Sequence, residues 1–167
     1  RNGLPINAFV TREFTGFDKA TGQALYKDEG KTFYYVGDPN PKILFGASTT
    51  FRYKKLSLTA NVSGATGHKI YNETFNNIIN VGSLKRGRNI ALAVFENPVK
   101  EAFSNPVTSS SRYLEKGDYL KMTNATLSYG IGNVAMFKAA NVYVTGQNLF
   151  VITKFSGFDP EVNVDKS

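Results

Sequence analysis

Few side chains in this sequence have the chemistry of a reaction centre, and their spacing argues against one. Cysteine is absent and His68 is the only histidine, so there is no thiol nucleophile, no thiolate metal site and no histidine pair. A lone imidazole without neighbouring carboxylates is expected as a rim residue. Asp159 and Glu161 in "FSGFDPEVN" have the spacing of a carboxylate pair or of calcium ligands. Two acids in a proline-containing loop more often serve as turn and capping groups. No nucleophile, base and orienting group stand together, so neither catalysis nor a cofactor is expected.

The remaining chemistry is that of binding. "LKRGR", Leu84 to Arg88, lies among asparagines in a chain of net charge +7, which invites a nucleic-acid reading. A basic loop facing an anionic surface or an acidic partner is at least as natural, and no nucleic-acid partner is expected. Tyr71, Asn72 and Tyr113 pair aromatic with amide chemistry, which can stack on a sugar and hydrogen-bond to it. Their competing role is simply to order a loop. Asn61 and Asn124 lie in runs of alternating polar residues and complete the set of candidate binding residues.

Five runs must position these groups. Leu4 to Phe14, "ILFGASTTFRYK", "KLSLTANVSG", "DYLKMTNATLSYGI" and "NVYVTGQNLFVI" all alternate with period two, the strand signature. Leu56, Leu58, Ala60 and Val62 alternate against Ser57, Thr59, Asn61 and Ser63; Ala125, Leu127, Tyr129 and Ile131 oppose Asn124, Thr126, Ser128 and Gly130. The polar sides are Ser, Thr, Asn, Gln and Gly with little charge, whereas exposed faces of soluble sheets carry charge. That neutrality suits the hydrated interior of a transmembrane β-barrel, with Phe51, Tyr53, Tyr119, Tyr129, Phe137, Phe150 and Phe155 as interfacial aromatics. The alternative is a soluble β-sandwich that binds glycan or protein, in which the Leu56/Leu58/Ala60/Val62 face meets a second sheet instead of lipid.

The connections favour the barrel. "YKKL" is a tight hairpin, residues 65–112 form a long insertion with room for a short helix on each side of Gly82, and "GNVAMFKAA" is a moderate link. Barrels of the outer membrane alternate short periplasmic turns with long extracellular loops in this way. "FTGFD" at Phe14 and "FSGFD" at Phe155 would then both follow strands running outward. Gly16 and Gly157 would bend the chain, the phenylalanines would anchor in the lipid interface, and Asp18 and Asp159 would accept from turn amides. Five strands cannot close a barrel, so the chain is expected to be a piece of something larger. It opens without a secretory leader, which implies either a cytoplasmic protein or a start that has been removed.

Two phrases resemble a known family. "SRYLEKGDYLKMTNATLSYGI" is similar to the strand S-x-Y/F-x-x-x-G-S-Y-L-R-L-K-N-x-T-L-x-Y of SusC/RagA-type TonB-dependent outer-membrane transporters. Ser111, Tyr113, Gly117, Tyr119, Leu120, Asn124, Thr126, Leu127 and Tyr129 match, while Asp118 replaces the usual Ser and Lys121 the frequent Arg. "NVYVTGQNLFVITKFSGFDPEV" is similar to V-S-G-Q-N-L-F-x-x-T-x-Y-x-G-x-D-P-E. Here Gly146, Gln147, Asn148, Leu149, Phe150, Thr153, Gly157, Asp159, Pro160 and Glu161 match. "NPKILFGASTTFRYKKLSLTANVSGATGHKIYN" and "KATGQALYKDEG" also fit. The resemblance implies that residues 1–167 are the C-terminal part of an all-β, antiparallel transmembrane barrel, with the plug, earlier strands and final strand absent. It further implies TonB-energised import of a bulky nutrient, an oligosaccharide or peptide, across the bacterial outer membrane. The partners it implies are a SusD-like surface lipoprotein, and TonB through the absent N-terminal part.

Overall fold

A computed structural model describes residues 3–105, 108–134 and 136–161. In chain order the elements are β1 (Phe9–Thr11), β2 (Phe14–Phe17), β3 (Ala24–Tyr26), β4 (Tyr34–Gly37), β5 (Ile43–Tyr53), β6 (Leu56–Thr66), β7 (Lys69–Tyr71), α1 (Glu73–Ile78), α2 (Ala93–Glu96), β8 (Leu114–Lys116), β9 (Tyr119–Val134) and β10 (Phe137–Thr153). Single 3₁₀ turns lie at Lys27–Gly30, Val81–Arg86 and Ser111–Tyr113. The described residues divide between two compact units. One draws on Pro41–Gly67 and Gly117–Lys154, the other on Arg1–Asn40, His68–Lys116 and Phe155–Ser167.

The first unit is one antiparallel sheet of order β10-β9-β6-β5. Four of the five anticipated strands build it, and their alternation survives in the register. One face carries the rows Tyr53–Leu56–Tyr129–Val142, Phe51–Leu58–Leu127–Val144 and Thr49–Ala60–Ala125–Gly146. The other carries Arg52–Ser57–Ser128–Tyr143, Thr50–Thr59–Thr126–Thr145 and Ser48–Asn61–Asn124–Gln147. Lys54, at φ 53, turns β5 into β6, and the Gly130 N–H continues the ladder to the Lys55 carbonyl at 2.8 Å. The anticipated moderate link between the last two strands is shorter than expected. β9 and β10 run on through "GNV" and "FKAA", so the connection lies between Val134 and Phe137. The ends Ile43, Thr66, Tyr119 and Thr153 lie together at the opposite end of the sheet.

An exposed apolar face decides between the two architectures. Leu58 is 41% exposed, Phe51 65% and Val144 71%, although they form one row. A sandwich would bury that row under a second sheet, and among the described residues this sheet is a single layer. Aromatics mark both ends of the face: Phe51, Tyr53 and Tyr129 beside the Lys54 turn, Phe45 and Phe150 towards the other end. Phe45 and Tyr53 are eight residues apart on β5, about 27 Å along an extended strand and roughly 20 Å of height at the tilt of a barrel strand. That is the spacing of aromatic girdles flanking a lipid-facing band.

Two bulges at one level keep the faces consistent. Val62 pairs with Met122 directly after Asn61 pairs with Asn124, so β9 carries an extra residue there. β10 carries one more again, between Gln147 and Phe150, with Asn148 at φ 49. The Thr123 hydroxyl donates to the Asn61 carbonyl at 3.0 Å where the ladder is interrupted. The bulges shift the side-chain parity, so that Met122 and Phe150 stay on the apolar face.

The fifth anticipated strand does not join this sheet. Leu4 to Phe14 yields only β1, paired with β4, and the start of β2, paired with β3. Gly37 and Gly16 fall at irregularities in these two ladders, so neither hairpin extends. The long insertion contains α1 before Gly82 and α2 after it, as the breaker pattern implied, with Asn97 extended at ψ 128 ahead of Pro98. Among the described residues, Ile70, Ile79, Val81 and Tyr113 are the buried hydrophobic residues of this unit.

Candidate functional site

The polar face of the sheet carries one group of candidates. Asn61 Nδ2 donates to Asn124 Oδ1 at 2.6 Å. Hydroxyl pairs cross the neighbouring row, Thr50 with Thr59 at 3.1 Å and Thr126 with Thr145 at 2.9 Å. Satisfying each other, these short side chains form two rows that are polar and uncharged, suited to passing solutes in water more than to holding any one of them.

The loop candidates are placed differently. Asn72 is 3% exposed. Its Oδ1 caps α1 by accepting from the Phe75 N–H at 2.8 Å, and its Nδ2 donates to Glu115 Oε1 at 2.8 Å and Ser156 Oγ at 3.0 Å. Tyr113 is 6% exposed and packs edge-on against Tyr71 and Phe75. Burial pushes the hydroxyl pKa of Tyr113 up, and that of Tyr71 likewise. Asn76 Nδ2 donates to the Tyr71 hydroxyl at 3.1 Å. These contacts order the loop. His68 is buried and lies directly before β7.

Repetition of the Phe-Ser/Thr-Gly-Phe-Asp phrase has a structural answer that the sequence reading missed. Both copies grip the segment Ser111–Glu115. In the first copy, the Phe14 N–H donates to Ser111 Oγ at 2.9 Å, and the rings of Phe14 and Phe17 lie 5.4 and 4.7 Å from the Arg112 guanidinium. In the second, Ser156 donates to Glu115 through its N–H at 2.8 Å and its hydroxyl at 2.7 Å. The expected lipid anchoring therefore needs correction for Phe14 and Phe17, which are part-buried around a cation. The two glycines differ as well: Gly16 has φ 139 within β2, while Gly157 lies under the Phe155 ring, where a Cβ would stand 2.3 Å from it. The aspartates act as expected. Asp18 Oδ1 accepts from the Thr21 N–H and hydroxyl and the Ala20 N–H, which holds its pKa below the ordinary value, and Asp159 Oδ1 accepts from the Glu161 N–H at 2.9 Å.

Arg112 anchors the loop unit. It forms two parallel bonds to Glu101, at 2.8 and 2.9 Å, with the side chains 15% and 7% exposed. Burial alone would lower the guanidinium pKa, but the hydrogen bonds and charge of Glu101 outweigh it and the net direction is up. Close by, the Gly22 carbonyl accepts from the Ala102 N–H at 2.9 Å and Asn105 Nδ2 at 3.0 Å. Gly22 has φ 71, and a Cβ there would stand 2.1 Å from the Lys100 carbonyl oxygen. Gly22→Ala should therefore cost about 2–3 kcal/mol, from the left-handed backbone and a strained pair of hydrogen bonds. Hydrogen exchange at Ala102 and Asn105 checks this, and unchanged protection would refute it.

Similarity to known proteins agrees with this geometry. No family model matches the chain. A TonB-dependent receptor of Formosa agariphila is 30% identical over 162 residues, covering 86% of this chain and 16% of the relative. The TonB-dependent receptor SusC of Bacteroides thetaiotaomicron is 27% identical, over 96% of this chain and 16% of its own length. The RagAB peptide importer in its open-open state superposes with a TM-score of 0.75 at 26% identity, over 95% of this chain and 20% of that one. The chain belongs to the SusC/RagA-type TonB-dependent transporters. It spans about a sixth of the length of the curated relatives it matches, and its sheet is part of a β-barrel. These relatives are receptors and importers, not enzymes.

The phrases that carry the SusC/RagA resemblance fall where the sheet needs special geometry. "GQNLF" contains the bulge at Asn148, and Leu149 folds back over Gly146, where a Cβ would meet it at 2.5 Å. Gly117 is buried two residues before β9 begins. Asp118, a departure from the family's Ser, accepts from the Thr66 hydroxyl at 3.0 Å and the Gly67 N–H at 2.7 Å. Its own carbonyl accepts from Thr153 Oγ1 at 2.8 Å. The carboxylate thus makes the turn-closing contacts that a shorter hydroxyl would make less extensively.

Proposed function

We propose that this chain is the C-terminal barrel portion of an outer-membrane active importer of bulky nutrients, oligosaccharide or peptide. The exposed apolar face between two aromatic levels, backed by a face of mostly hydroxyl and amide side chains with little charge, carries this reading: it is a sheet built to separate lipid from water. Asn61 and Asn124 lie along the solute path, and Tyr71, Asn72 and Tyr113 contribute to it by shaping the loop. TonB energises the intact protein through a part outside this chain. A SusD-like surface lipoprotein works with it on the outer side, where lipopolysaccharide surrounds the barrel. The import reading is supported by the similarity to RagAB, which is named a peptide importer.

Uptake in the native host tests the reading. Cells carrying the intact gene should accumulate labelled oligosaccharide or peptide from the medium. Deleting the gene, or collapsing the proton-motive force, should abolish that accumulation. Uptake that persists without the proton-motive force would sink active import.

A further inference from the structure

A cleft of about 460 Å³ opens beside the turn Val81–Arg86, and its lining combines two chemistries. Lys85, Arg86 and Arg88 contribute three exposed cations, none of which forms an ion pair among the described residues. Their backbone is set by the local sequence. Asn80 Oδ1 accepts from the Gly82 N–H at 2.8 Å, and the Gly87 N–H, at φ 69, donates to the Leu84 carbonyl at 3.0 Å. The Arg88 N–H donates to the Ser83 carbonyl at 3.1 Å. Lys85 is steadied by Phe103, with Nζ 5.3 Å from the ring centroid.

The second chemistry is a buried acceptor. Asn76 is 6% exposed, its Nδ2 is committed to Tyr71, and its Oδ1 has no hydrogen-bond partner among the described residues. A buried amide oxygen left unpaired is unfavourable and calls for a donor. Three cations ask for an anion and a buried carbonyl asks for an N–H or O–H. Inorganic phosphate or sulfate answers mainly the first demand.

We propose that this cleft binds an acidic oligosaccharide, a sugar chain bearing carboxylate or sulfate groups. The anionic groups pair with Lys85, Arg86 and Arg88, and a ring hydroxyl donates to Asn76 Oδ1. Neighbouring Asn77, Asn80 and Ser83 supply the mixed donors and acceptors that sugar hydroxyls match. An acidic peptide fits less well, because peptides are gripped by a strand edge or by apolar pockets, and no residue of this lining lies in a strand. The inference rests on the import reading and names the cargo class that the importer would take at its loop.

Calorimetric titration of the intact transporter in detergent tests it, with hexagalacturonate as the probe and maltohexaose and hexaglutamate as comparators. Hexagalacturonate should bind at least about tenfold more tightly than either comparator, and the triple variant K85Q/R86Q/R88Q should weaken it about thirtyfold or more. Raising the salt concentration should weaken the wild type and barely affect the variant. The substituted side chains are exposed, and unchanged heat-modifiable migration in gels verifies that the variant is folded. Equal binding of maltohexaose, equal binding of hexaglutamate, retention of affinity in the variant, or no binding at all would each overturn the proposal. Titration reads binding alone. Failed uptake with this binding intact would sink import and leave the cleft, whereas uptake of a neutral sugar with a silent titration would do the reverse.

Discussion

Leu58→Arg is expected to destabilise the folded barrel by about 2–4 kcal/mol in lipid vesicles, and Thr59→Arg by about 1 kcal/mol or less. The two residues are adjacent on β6 and point to opposite faces. Leu58 shares its row with Phe51, Leu127 and Val144, so a guanidinium there must enter hydrocarbon or drag water with it. Thr59 sits in a row of four threonines, on the face assigned to water, where arginine forfeits a hydroxyl contact and remains hydrated. Denaturant titration in vesicles, read by the loss of the heat-modifiable gel band, measures both. Equal costs, or the larger cost at Thr59, would mean that the lipid and water faces have been assigned the wrong way round.

Glu101→Ala is expected to cost about 3–5 kcal/mol locally, because it strands the Arg112 guanidinium without its carboxylate. Arginine cannot escape by releasing its proton. Phe14, Phe17 and Tyr113 surround the charge with rings at 5.4, 4.7 and 5.7 Å, whose attraction for a cation is a fraction of what a paired carboxylate supplies. The double variant E101L/R112M should cost less than E101A alone, since exchanging a buried pair for packed apolar groups removes both desolvation penalties. Amide exchange of β2 and the Ser111–Tyr113 turn would read the difference. With the pair broken, exchange should accelerate by two to three orders of magnitude, about the factor that 3–4 kcal/mol implies. A double variant as damaged as the single would show that the pair itself, rather than the uncompensated charge, is what the loop requires.

The four long strands were visible in the sequence because a sheet that separates two media constrains every second residue. Leu56 and Leu58 alternate with Ser57 and Thr59, and the register leaves that alternation intact across all four strands. The bulges left a weaker trace. "YLKMTNATLSY" shifts its apolar residues from even positions, Leu120 and Met122, to odd ones, Ala125 and Leu127. That slip was the available signal for an extra residue. The run Leu4 to Phe14 misled because local alternation says nothing about the partner: β1 pairs with β4, not with the large sheet.

Asn72 and Tyr113 illustrate the opposite difficulty. Their side-chain types suit a sugar site, and the same types suit a helix cap and a packed ring. Only burial and hydrogen bonding distinguish these uses. The Ser156–Glu115 and Asn72–Glu115 contacts join residues far apart in the chain, and no periodicity encodes such a pairing. The cluster "LKRGR" was visible as charge, but the buried, unpaired oxygen of Asn76, a residue lining the same cleft, was not.

By itself, the sequence determined the strands, their two faces and the family, because alternation, glycine placement and turn residues act over a few neighbouring positions. The tertiary structure decided which strand lies beside which, why Phe-Ser/Thr-Gly-Phe-Asp is written twice, and which loop residues are buried. Those outcomes depend on packing between distant segments, where the energy of a contact belongs to both partners and is written in neither alone.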